Sequence, residues 1–118
     1  MTPRQIADFL KDMIDAIDLT QESTSGLTFN TFEDDQKTIF AVSRAVEIIG
    51  EASKQIPREL REQYSHIPWK DIARMRDKMI HHYFGVNLKI LWNTVNNDLP
   101  LLKPQLLQML KNLPESTP

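Results

Sequence analysis

Eight consecutive residues, Arg76-Asp77-Lys78-Met79-Ile80-His81-His82-Tyr83, set permanent cations, an acid, two imidazoles and a phenol side by side. These groups suit attack on a phosphodiester. Histidine titrates near neutrality, so His81 can remove the proton of a ribose 2′-hydroxyl or protonate the leaving oxygen. The guanidinium of Arg76 stays charged and can stabilise the negative charge that builds on the phosphorus oxygens. Asp77 precedes His81 by four residues, a helical spacing at which a carboxylate can orient an imidazole and favour its charged form. Together these roles describe a ribonuclease that needs no metal.

Each residue also has a plainer use. Arg76 falls on an apolar stripe with Ile72, Met75, Met79 and Ile80, where a carboxylate, a carbonyl or a bound anion would have to meet it. A histidine near a helix C-terminus favours the helix dipole without any catalytic part. Tyr83 is open to three uses: anchoring the core, stacking on a base, or presenting its hydroxyl as acceptor for a transferred group. His81 and His82 do not make a metal pair, because neighbours on a helix point about a hundred degrees apart and no third ligand has suitable spacing. The chain has no Gly-rich phosphate loop and no Ser/His/Asp arrangement.

The elements that must carry this motif follow from periodicity. Thr2-Pro3 opens a helix over about 3–20, with Ile6, Phe9, Leu10, Met13, Ile14 and Ile17 on one face. The polar run Gln21-Glu22-Ser23-Thr24-Ser25-Gly26 reads as a loop. A long second helix is expected over 31–55, capped by Asn30 or Thr31. Its apolar positions, Ile39, Phe40, Val42, Ala45, Val46, Ile48, Ile49 and Ala52, wrap more than one stripe, so it should be central and buried on two sides. Gly50 inside it costs roughly 1 kcal/mol relative to Ala, which calls for close approach of another backbone at a helix crossing or a dimer contact. Pro57 to Tyr64 reads as a short charged helix. Pro68 opens the motif helix, and Gly85 should stop it. Asn87 can cap a last helix with Leu88, Leu91, Trp92, Val95 and Leu99, which Pro100 and Pro104 should kink or divide. With no strand-like alternation, the expected class is all-α, a bundle of four or five helices in one domain over 1–113, with a frayed tail over 114–118.

At 118 residues the chain is of one-domain length, and a self-associating surface would add usefully to its stability. No apolar run approaches the roughly eighteen residues of a membrane span, and the first residues lead straight into an amphipathic pattern rather than a signal peptide. With no cysteine, disulfides and thiolate sites are excluded, and the cytoplasm is the expected compartment. The net charge of −2 hides an asymmetry: residues 1–52 hold four Lys/Arg against ten Asp/Glu, and residues 53–78 hold seven against four. The basic bias falls around the motif, where a local positive surface can attract phosphate on a mildly acidic chain.

The segment Ile48-Ile49-Gly50-Glu51-Ala52, then Ile67-Pro68-Trp69, the run from Arg76 to Val86, and Trp92 before Asp98-Leu99-Pro100 resemble the HepT-like toxins of the HEPN superfamily, across about residues 3–110. The resemblance implies a HEPN-type helical bundle that forms a symmetric homodimer and brings two copies of the motif into one cleft. It implies ribonuclease activity on RNA with no required metal or cofactor, Arg76 and His81 as the catalytic pair, and Asp77 and His82 in support. The partner it implies is a minimal nucleotidyltransferase antitoxin of the MntA type, which moves AMP from ATP onto Tyr83. The added phosphate would place negative charge beside the cleft and repel RNA. The residue after the arginine is often Asn in such motifs, whereas here it is Asp77. An acid there either repels substrate or tunes His81, and the sequence leaves both open. The alternative from another class is a catalytically weak helical module that binds the nucleotidyltransferase.

Overall fold

Helices make up the computed structural model of the protein, which describes residues 1–81 and 87–114 and, of 78–81, the backbone alone. They are α1 (Pro3–Thr24), α2 (Phe29–Glu33), α3 (Gln36–Gln55), α4 (Arg58–Gln63), α5 (Trp69–His81), α6 (Leu88–Asn93) and α7 (Leu99–Asn112), with a π turn (Thr94–Asp98) joining the last two. No strand occurs among the described residues, and no helix among them is long and apolar enough to cross a membrane. The all-α expectation is therefore met. Residues 82–86 and 115–118 lie outside the described residues, and with them the expected helix stop at Gly85 and most of the expected frayed tail.

α1 starts where its sequence says it should. The Thr2 hydroxyl accepts from Gln5 N–H at 3.2 Å, and the Gln5 side chain accepts from Thr2 N–H at 2.9 Å, a reciprocal cap ahead of Pro3. It runs four residues past the expected end, through Thr24. Thr20 and Thr24 are buried and turn their hydroxyls onto carbonyls of their own helix, so these polar residues are satisfied inside it.

The expected 31–55 helix is in fact two helices. Thr28, rather than Asn30 or Thr31, caps the five-residue α2, and Asp35 caps α3 by accepting from Thr38 N–H at 3.1 Å. An Asp so placed begins a new helix more favourably than it continues an old one, because its side chain competes for the backbone donors. Phe40, expected on a buried stripe of this helix, is 62% exposed. The remaining expectation holds: α3 is central, packed against α1 on one side and α5 on the other, with Val42, Ala45, Val46 and Ile49 buried.

Asn87 caps α6 as expected, accepting from the N–H groups of Lys89 and Ile90. Pro100 neither kinks nor ends the helix that follows, because the π turn absorbs it. Leu99 N–H bonds Thr94 O, so the register is i to i+5, and the next partner in line for Val95 O is Pro100, which has no N–H. Gln21 of α1 fills that place, with Nε2 donating to Val95 O at 2.7 Å. The residue expected in a loop thus fastens α1 to the π turn. Gln21→Leu should cost about 1–2 kcal/mol in urea unfolding, and unchanged stability would mean that water serves this carbonyl equally well.

Trp69 and Trp92 were expected as core or interface aromatics. Trp69 is 9% exposed, and its indole N–H donates to Tyr64 O at 3.1 Å. Trp92 packs against Phe32, with ring centroids 5.0 Å apart.

Candidate active site

Arg76 reaches its place because Gly50 has no side chain. At the crossing of α3 and α5, a Cβ built on Gly50 would stand 2.1 Å from Arg76 Cβ and 2.9 Å from its Cγ. The glycine is the gap into which the arginine stem fits, and the close approach required by the sequence is this crossing within one chain. The stem lies so near the helix that Arg76 Nε is buried, with no hydrogen-bond partner among the described residues. The terminal nitrogens do have partners. Nη2 donates to Glu51 Oε1 at 3.2 Å, and Nη1 stands 3.6 Å from Asp77 Oδ1. The carboxylate that the apolar stripe seemed to demand is therefore Glu51.

Asp77 is shared. Its Oδ1 accepts from Lys54 Nζ at 3.1 Å as well as facing Arg76, so the four residues form one chain of charge: Lys54, Asp77, Arg76, Glu51. Exposed pairs of this kind are worth about 0.2–1 kcal/mol each, so their effect lies in holding positions rather than in stability. The hydrogen bond from Lys54, followed by the charges of Lys54 and Arg76, holds the Asp77 carboxyl below the ordinary aspartate range. The pair is then fully formed above that ordinary range and dissolves only as pH falls through the lowered value. An NMR titration should find the Asp77 midpoint below that of a free aspartate, and Lys54→Met should move it back up. Identical midpoints in the two proteins would break the assignment.

Arg76, Glu51 and Lys54 line an open cleft of about 500 Å³ together with Phe9, Asp12, Ile48, Ala52 and Gln55. A larger concavity, about 830 Å³, lies between α5, α6 and α7. Its walls include Ile72, Met75, Leu91 and Leu102, while its charged residues Asp71 and Arg74 face each other at 3.8 Å. The largest hollow is the usual first guess for a site. Here the smaller one holds the convergent charges, and it is the one with chemistry to offer.

Of the residues singled out from sequence, the structure brings Arg76 and Asp77 together at this cleft. The backbone is helical through His81, which keeps positions 76, 77 and 81 on one helix. The side chain of His81, and His82 and Tyr83 altogether, lie outside the described residues, and with them the expected Asp77–His81 contact. Sequence reasoning missed Lys54, and it knew Glu51 only as part of a resembling segment. A usable signal was present: the two are three residues apart, directly after a glycine in a helix interior, and so share a face at the point of closest approach. No group of three or more His, Asp or Glu among the described residues is placed to hold a metal ion.

Comparison with known proteins bears on this cleft. The family described as Ribonuclease HepT-like matches residues 13–109. A protein of Thermococcus cleftensis named "Probable ribonuclease HepT" is 52% identical over 100 residues, covering 85% of this chain and 91% of that one. Relatives in Caldanaerobacter subterraneus and Methanocaldococcus jannaschii, each carrying the name "Putative RNase", are 42% and 39% identical; the matches span 93% and 98% of this chain and 96% and 99% of theirs. No solved structure matches the chain.

Proposed function

The chain belongs to the HepT-like ribonuclease family, and on that premise we propose that it is a metal-independent endoribonuclease and the toxin of a toxin–antitoxin pair. The observation that carries the reading is the placement of Arg76, with its stem fixed over Gly50 and its terminal nitrogens in an open cleft. A cation held in advance of its substrate pays little reorganisation when charge builds on the phosphorus oxygens.

In the proposed reaction His81 takes the 2′-hydroxyl proton as the 2′-oxygen attacks phosphorus, and the bond to the 5′-oxygen breaks. That oxygen leaves with a proton from an imidazolium. The products are a 2′,3′-cyclic phosphate and a 5′-hydroxyl end, and no metal is consumed or required. The chain acts as a homodimer, in which the second copy of the motif supplies a second imidazole. His82 supports the site. Its antitoxin is a nucleotidyltransferase: the Tyr83 oxygen attacks the α-phosphorus of ATP, pyrophosphate departs, and the new phosphodiester repels RNA.

The test is incubation with total cellular RNA in EDTA, beside His81→Ala of matched folding, with the new ends mapped. Cyclic-phosphate ends present with wild type and absent with the variant support the reading. Cleavage only on adding a divalent ion overturns the metal-free mechanism, and equal inertness leaves the helical interaction module. With the partner and ATP, intact-mass spectrometry should show AMP increments that Tyr83→Phe abolishes.

A further inference from the structure

Asp77 Oδ1 sits between two cations, 3.1 Å from Lys54 Nζ and 3.6 Å from Arg76 Nη1. One anionic oxygen shared by an ammonium and a guanidinium is the coordination that a non-bridging phosphate oxygen takes up. We propose that Asp77 is an internal stand-in for substrate, and that Lys54 is a second phosphate-binding residue which passes, with Arg76, from the carboxylate to an RNA phosphate. This deepens the nuclease reading and rests on it.

Three observations converge. Lys54 lines the same open cleft as Arg76 but comes from α3 rather than α5, so the two cations approach the shared oxygen from different helices. Lys54 is half exposed, with a side-chain accessibility of 42%, so a phosphate can reach its ammonium without unpacking the core. The charge balance requires an exchange of partners: Lys54 and Arg76 are cancelled by Asp77 and Glu51, and Asp12 on the cleft wall leaves the whole acidic. Such a cleft does not draw a polyanion by net charge. It binds one by offering a pre-spaced cation pair and releasing a carboxylate that swings to solvent. The acid that follows Arg76 then has a purpose: it holds the pair at phosphate spacing while the site is empty, at the cost of competing with RNA.

The experiment measures binding of a labelled single-stranded RNA by the full chain in a His81→Ala background, across a salt series. Lys54→Met should raise Kd about tenfold and flatten the salt dependence by about one phosphate contact, while Lys54→Arg keeps both near the starting values. Asp77→Asn, which removes the competitor, should tighten binding by about threefold or more.

The double variant separates the roles. If Lys54 touches phosphate, Lys54→Met still weakens binding about tenfold when Asp77 is already Asn. If Lys54 merely neutralises Asp77, the double variant binds as Asp77→Asn does, and the proposal is overturned. It is likewise overturned if Lys54→Met changes neither Kd nor the salt slope while wild-type protein still cleaves RNA. Failure of wild type to cleave RNA at all would instead remove the nuclease reading beneath it.

Discussion

Arg76→Ala should lower kcat/KM for RNA cleavage by about 10²–10³-fold, the effect of deleting one preorganised charge donor to a transition state. The melting temperature should shift by only a few degrees. Its ion partners are both half exposed, so Glu51 and Asp77 return to water when the guanidinium is lost. Arg76→Lys should recover little of the activity, because an ammonium cannot reach Glu51, the Asp77 position and substrate from one planar fork. Steady-state kinetics on a short RNA, together with thermal unfolding of each variant, would decide the matter. Activity within threefold of wild type for Arg76→Ala would remove the cation from the reaction.

Gly50→Ala sets two effects of opposite sign against each other. Alanine is favoured over glycine in a helix interior by about 1 kcal/mol, so local propensity alone makes the variant more stable. The tertiary contact says otherwise. The new methyl would meet Arg76 Cβ at 2.1 Å, an atom fixed to the α5 backbone rather than the free end of a side chain, so α5 itself must move. Overpacking of this kind costs about 1–3 kcal/mol or more, and the expected net result is a loss of about 2 kcal/mol, with retained helical circular dichroism. Function should fall further than stability. A displacement of about 1 Å at a catalytic group can cost 10²-fold, and this variant moves the helix that carries Arg76, Asp77 and His81 together. A chain as stable as wild type, or more so, would show that the two helices do not cross here.

Lys54 and Glu51 stand 23 and 25 residues from the partners they hold, and that separation divides what could be read in advance from what could not. Caps at Thr2 and Asn87, the all-α class and the buried stripes of α1 and α3 were legible, because hydrogen bonds and amphipathic faces are settled within one or two turns of chain. The break between α2 and α3 was also local, yet Thr31 was a credible cap, and only the backbone shows that Thr28 and Asp35 hold those places. Gln21 read as loop because its only long-range partner, a carbonyl freed by Pro100, is 74 residues away.

The sequence by itself determined that Arg76, Asp77 and His81 share one helix and that Gly50 must face another backbone. A fixed rise per residue and the energetic cost of an unused glycine are enough for that. Which backbone it faces, and which carboxylate and ammonium close around Arg76, was decided by the crossing of α3 and α5. A crossing depends on how two side-chain surfaces interlock, and neither surface exists until the other is packed against it.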